Sequence, residues 1–271
     1  STFALNEHVL EDFGRNGGLY LTSIFRFPRL RALIFAPMSR RYGWRFRELE
    51  AEIVCNSPAL NITYTPRSFQ VYAGEFPQSR YAFVGASIDG RRHEPCELPE
   101  GSGPLVYISL GTELNKSERF FRRCVEAFGS TGMRVVMAIG DSVRPENLGP
   151  VPPTMMVRRR VPQLEVLSRA SLFITHGGMN SVNEALFYGV PMLVVPVGND
   201  QPTVARRVEE LGLGKALDIR EATPDVLREA AMRVLSDREC HARLSEFRQE
   251  TRNAGGNAKA VKLIIKQLDR A

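Results

Sequence analysis

No two cysteines in this chain stand close enough to clamp a metal ion: Cys55, Cys96, Cys124 and Cys240 are scattered, with no CxxC pair among them. That spacing argues against a zinc site and against a disulfide-stapled secreted scaffold, and it fits a reducing compartment. Long apolar runs are missing too. None approaches the roughly eighteen residues that mark a membrane-spanning helix, and the first residues do not read as a signal peptide. The expectation is a cytoplasmic protein with no integral membrane segment. No internal repeat is visible, and charge is not segregated. The net charge of +6 and pI near 9.3 come from arginines spread along the chain. Such basicity implies solubility and a mild attraction to anionic ligands, not a nucleic-acid partner.

What is present is ordinary globular composition, 43% hydrophobic and 24% charged over 271 residues, enough for one large or two medium α/β domains. One stretch organises the rest: LFITHGGMNSVNEALFYGVPMLVVPVGNDQ, residues 172–201. Residues 172–175 are a short apolar strand, broken by His176, Gly177 and Gly178. Residues 180–188 then carry Val182, Ala185 and Leu186 at helical spacing until Gly189. The next strand, 191–195, is nearly all apolar, as in a parallel sheet covered on both faces, and it leads into a polar loop at 198–201. Ligands of such sheets sit at the carboxyl ends of the strands, so both polar clusters fall on one rim.

The glycines let backbone approach a ligand, and the amides that open the helix at Asn180 lack intrahelical acceptors, so an anion docks there with help from the helix dipole. Phosphate is the expected anion. Asn180 and Ser181 add side-chain donors, and Glu184 lies one turn deeper on the same face. A carboxylate would repel phosphate. Its better use is to accept both hydroxyls of an attached ribose. His176 can donate to a diphosphate, and Asp200 with Gln201 can hydrogen-bond a polyol. Each residue also has a plainer reading. Asn180 or Ser181 can be only a helix cap, Glu184 only a solvated helix residue, Asp200 only a turn former and His176 only structural. Caps and turns, however, do not call for this whole set on one rim.

The segment from Val161-Pro162-Gln163 through THGGMNS, NEAL, GVP and Asp200-Gln201 resembles the nucleotide-sugar signature of family 1 UDP-glycosyltransferases, in the bacterial branch typified by macrolide glycosyltransferases. NITYTPRSFQ, YAFVGASID and Ser109-Leu110-Gly111-Thr112 resemble that branch as well. The resemblance implies an α/β protein of GT-B fold, with two Rossmann-like domains facing a cleft. It also implies metal-independent, inverting transfer of a hexose, with glucose the expected one, from a UDP-sugar donor to a hydroxyl of a small natural-product acceptor such as a macrolide or phenolic. No cofactor is expected. The site it implies comprises Ser109, Gly111, Thr112, Arg160, Val161, Gln163, His176, Gly178, Met179, Asn180, Ser181, Glu184, Asp200 and Gln201. Within that set His176 and Thr112 would stabilise the leaving diphosphate.

Three regions are expected: a partial N-terminal acceptor-side domain at 1–86, a linker rich in Gly, Pro and charge at 87–103, and a complete doubly wound donor domain at 104–271. The first reads as helical, then aromatic and Arg-rich at 24–46, with short strands at 53–55, 61–64 and 81–84. By the resemblance, about the first third of a family member is absent, on a separate N-terminal fragment or partner chain or removed. In the donor domain, strands are expected at 105–110, 134–139, 155–158 and 215–218, and helices at 117–128, 164–169, 204–211, 223–236, 238–253 and 257–271.

One departure is the aromatic residue that many members place before Val-Pro-Gln to stack on uracil. Arg160 stands there, and a guanidinium can stack on a base plane. A second is the general base. In the family it is a His near the start of the N-terminal domain, and none of His8, His93, His176 and His241 has that context. Two other readings stay open: a nucleotide-sugar binding subunit that does not catalyse, and a GT-B sugar-nucleotide epimerase.

Overall fold

The computed structural model describes residues 59–88, 94–111 and 117–269, together with 3–6, 8, 9, 12, 36, 37, 40 and 41. The expected strand at 53–55, most of the aromatic and Arg-rich stretch, and Thr112 lie outside them. Two short strands come first, β1 (Asn61–Thr63) and β2 (Tyr81–Phe83), paired in parallel. Short 3-10 turns at Arg67–Phe69 and Ala73–Glu75 lie between them; neither is legible as a periodic pattern.

Six further strands follow: β3 (Leu105–Ser109), β4 (Arg134–Ala138), β5 (Met155–Arg158), β6 (Leu172–Thr175), β7 (Met192–Val194) and β8 (Gly214–Ala216). They form one parallel sheet in the order β5-β4-β3-β6-β7-β8. The connecting helices are α1 (Glu118–Phe128), α2 (Gln163–Leu167), α3 (Met179–Tyr188), α4 (Gln201–Glu210) and α5 (Pro224–Ser236), and α6 (Arg238–Asn253) and α7 (Gly256–Leu268) complete the chain. No helix among the described residues is long and apolar enough to cross a membrane.

Strand residues alternate between two cores. Val106, Ile108, Val135, Met137, Leu172 and Ile174 face one side, where α1 and α5 contribute Phe120, Phe121, Leu227 and Ala231. Leu105, Tyr107, Phe173, Met192 and Val194 face the other, where Val182, Leu186, Val204 and Leu244 come from α3, α4 and α6. Burial on both faces explains why these strands read as continuous apolar runs without alternation.

The strand order reverses between β3 and β6. Their carboxyl ends diverge there into connections running in opposite directions, which opens a crevice at the rim of the sheet.

The second core also takes in Phe69, Val71, Phe76, Tyr81 and Phe83 from the N-terminal part. The junction is polar as well as apolar. Asn183 of α3, 3% exposed, donates to the Tyr64 carbonyl (2.7 Å) and accepts from Thr65 Oγ1 (2.9 Å). Arg207 of α4 donates to the carbonyls of Ser68 (2.8 Å) and Phe69 (3.1 Å), and the Gly256 amide to that of Val84 (2.7 Å).

The helix expected at 204–211 begins earlier, at Gln201, so Gln201 belongs to α4 and not to the polar loop. Pro202 falls in its first turn, where a fixed φ suits the helix and the missing N–H has no intrahelical acceptor to lose.

Candidate functional site

The crevice between β3 and β6 receives His176 directly after β6, Gly111 from the loop after β3, and the N-terminus of α3. Ser109 and Thr175 are register partners, which brings the two turns side by side. Gly111 and Gly178 both pack against the imidazole. A Cβ on Gly111 would lie 2.7 Å from His176 Nε2, and one on Gly178 2.5 Å from it. Any larger residue at either position would displace the ring. Gly177 carries φ +86°, the left-handed region that disfavours side chains, and turns the chain sharply from β6 into α3.

Helix α3 starts without a side-chain cap and without an acidic residue in its first turn. The amides of Met179, Asn180 and Ser181 therefore keep the open valences and partial positive charge of a helix N-terminus. Met179 was expected among the binding residues. Its side chain is buried in the core, so only its amide belongs to this site. Asn180 is exposed and Ser181 half-buried, both on the rim.

Burial holds His176 well below its ordinary value, at about 4. Its Nδ1 is buried without a hydrogen-bond partner among the described residues. The ring is therefore a neutral imidazole at physiological pH. An unfolded histidine takes up its proton near 6.5 and the folded one near 4, so between these values the unfolded chain binds more protons. Stability should fall as pH drops through this window, by up to about 3 kcal/mol. Denaturant unfolding from pH 7 to pH 4 should show that loss in the wild type and a flatter profile in His176→Gln. Identical profiles would mean that the ring is not held neutral.

One turn deeper on α3, Glu184 is 5% exposed, which removes the reading of a solvated helix residue. Its Oε2 accepts from Gln163 Nε2 at 2.5 Å, and the same nitrogen donates to Ser181 Oγ at 3.2 Å. Gln163 Oε1 accepts from the Tyr107 hydroxyl at 3.0 Å. Gln163, Ser181 and Glu184 thus form one network, anchored from beneath by a β3 side chain. Val161 is half-buried at the approach to α2. Arg160 extends into solvent with its side chain 79% exposed, paired to Asp141 at 2.6 Å, and no described contact holds it in a stacking pose.

On the next strand connection, Asp200 precedes α4, and burial raises its carboxyl above its ordinary value. Gln201 is 4% exposed, and its Oε1 accepts from the amides of Val197 (2.7 Å) and Gly198 (3.0 Å). That end of the side chain is committed to its own loop. Ser109, also buried, accepts from the Gly111 amide through Oγ at 3.4 Å, shaping the turn after β3.

Two participants were not singled out from sequence. Tyr107 stands between the aliphatic Val106 and Ile108 of β3, and a buried tyrosine hydroxyl requires a partner. Asn183 interrupts the apolar face formed by Val182, Ala185 and Leu186, and a buried amide carries the same requirement. Those anomalies were the available signals.

Residues 122–266 match the family model described as "Erythromycin biosynthesis protein CIII-like, C-terminal domain". The chain is 43% identical over 205 residues to the NDP-glycosyltransferase YjiC of Bacillus licheniformis, covering 74% of this chain and 52% of that protein. It is 36% identical over 213 residues to the oleandomycin glycosyltransferase of Streptomyces antibioticus, covering 78% and 50%. The crystal structure of the glycotransferase of kitacinnamycin superposes with a TM-score of 0.84 at 34% identity, covering 98% of this chain and 68% of that one. The chain spans about half the length of the two sequence relatives.

Proposed function

We propose, from the premise that this chain belongs to the erythromycin biosynthesis protein CIII-like C-terminal domain family and has the GT-B fold of its glycosyltransferase relatives, that it binds a UDP-hexose at the β3–β6 crevice for transfer to a small hydroxylated acceptor. The observation that carries this reading is the uncapped α3 N-terminus, flanked by neutral His176 and, one turn deeper, by the buried Glu184 carboxylate. An anion, a polyol hydroxyl pair and a leaving group find their partners within one rim.

In this reading the β-phosphate lies against the amides of Gly178, Met179, Asn180 and Ser181, with Gly111 opposite. Glu184 accepts ribose hydroxyls, Gln163 steadies its carboxylate, and Arg160 covers the base beside the Val161 backbone. Asp200 accepts hydroxyls of the hexose, with glucose as the sugar. Attack of an acceptor oxygen on the anomeric carbon breaks the bond to the β-phosphate oxygen, and negative charge grows on the departing UDP. The helix amides and an N–H of His176 meet that charge from fixed positions, so no reorganisation is needed at the moment of bond breaking and the residues supply the stabilisation without a metal. The boundaries of this scheme are an acceptor-side part at 1–86, a linker at 87–103 and the donor domain at 104–271.

Calorimetric titration with UDP and UDP-glucose tests the assignment. Asp200→Ala should weaken UDP-glucose about tenfold or more while UDP changes little, as expected when a polar contact is made only by the sugar. Gln201→Ala should weaken both equally, because it releases the loop amides of Val197 and Gly198. Wild-type chain that binds neither ligand overturns the donor reading, and equal losses in Asp200→Ala remove the sugar contact from Asp200.

A further inference from the structure

Tyr107 lies at the centre of β3, 1% exposed, with its ring stacked on Phe173 at 4.8 Å between centroids and 6° between planes. The stack fixes the ring, so the hydroxyl has one direction in which to point. It donates to Gln163 Oε1 at 3.0 Å. Burial, with the charge of Glu184 adding to it, pushes the phenol well above its ordinary value, so the hydroxyl remains a donor at every working pH.

Gln163 has an acceptor end and a donor end, and which way the amide faces decides what it offers. The Glu184 carboxylate only accepts, so the nitrogen faces α3, where it meets Glu184 Oε2 at 2.5 Å and Ser181 Oγ at 3.2 Å, and Oε1 is left to accept from Tyr107. The flipped amide would set a carbonyl oxygen against a carboxylate. Tyr107 thus anchors the oxygen end of Gln163, and Gln163 in turn holds the Glu184 carboxylate across the 21 residues that separate them.

We propose that Tyr107 is a positioning residue for nucleotide specificity: through Gln163 it holds the Glu184 carboxylate where it accepts the ribose 2′-hydroxyl, and so separates ribonucleotide from 2′-deoxyribonucleotide donors. This rests on the donor-site reading above. Tyr107 touches no ligand itself. Its influence falls chiefly on the sugar of the nucleotide, because Gln163 meets Glu184 at 2.5 Å and Ser181 of the diphosphate subsite only at 3.2 Å.

Calorimetric titrations of UDP and 2′-deoxy-UDP into wild type, Tyr107→Phe, Gln163→Leu and the double variant test it. Tyr107→Phe keeps the stack on Phe173 and removes only the hydroxyl. Its affinity for UDP should fall about three- to tenfold, the usual consequence of losing one hydrogen bond, while 2′-deoxy-UDP, which keeps only the 3′-hydroxyl contact, should fall by less. The UDP to 2′-deoxy-UDP ratio should fall as far in Gln163→Leu, and adding Tyr107→Phe to that background should lower it no further. An unchanged ratio in Tyr107→Phe, or additive losses in the double variant, overturns the positioning role. Should Tyr107→Phe fail to fold, an undiminished ratio in Gln163→Leu overturns it equally. Wild type that binds neither nucleotide overturns the donor reading itself, a failure visible before any variant is compared.

Discussion

Assayed as this 271-residue polypeptide alone, the chain should bind UDP but transfer hexose slowly, at least about 10²–10⁴-fold below an enzyme with a placed general base, which is the usual worth of that group. The groups assigned to the donor lie on one sheet rim, so nucleotide binding should survive. No histidine among the described residues is set as an acceptor base in the proposed scheme. His176 is neutral and packed between Gly111 and Gly178, where that scheme sets the leaving group. His241 is exposed and meets the Leu235 carbonyl at the start of α6, and His93 lies outside the described residues. His8 is engaged by Glu75 at 2.8 Å, on the side of the molecule built from the N-terminal part. The solved relative is longer, this chain covering 68% of it, and an acceptor wall that excludes water and orients the hydroxyl would add to the base. Purified chain, UDP-glucose and a panel of phenolic and macrolide acceptors provide the measurement. Turnover on the order of 1 s⁻¹ or more would place a base within these residues, and His8→Ala and His176→Ala would then identify it.

Glu184→Ala should weaken UDP about ten- to hundredfold, corresponding to roughly 1.5–3 kcal/mol for a buried carboxylate that accepts two hydroxyls. The carboxylate is 5% exposed and already oriented by Gln163, so little conformational freedom is lost when ribose arrives. Its removal also leaves Gln163 Nε2 short of its nearest acceptor, so the melting temperature should fall as well. Calorimetry on folded protein separates the two effects. Binding of UDP with wild-type affinity by Glu184→Ala would remove the ribose role, whatever happens to stability.

The reach of local pattern is clear at residues 172–188. An apolar run, two glycines and then Val182, Ala185 and Leu186 at helical spacing announce a strand, a turn and a helix, and β6 and α3 fall there. Each of these signals acts over a few residues. The same holds for the open amides at the start of α3, which follow from helix geometry alone. Helix α4 shows where such signals fail. Asp200 reads as loop and is a turn residue, whereas Gln201, read as loop with it, opens a helix that Pro202 permits and turns its side chain back onto Val197 and Gly198.

From its residues alone, then, the chain declared a parallel α/β sheet, a helix start with open amides and a carboxylate one turn below it, because periodicity, glycine placement and helix-end valences are properties of adjacent residues. Which strands lie side by side was decided only on folding. The order β5-β4-β3-β6-β7-β8 sets the crevice between β3 and β6 and brings Gly111 to His176. Tertiary packing likewise joins Tyr107 to Gln163 across 56 residues and Thr65 of the N-terminal part to Asn183 across 118. Such partners carry no mutual spacing along the chain. They are chosen by which buried polar group the packed core brings within hydrogen-bond reach, since leaving one unpaired costs about 1–3 kcal/mol.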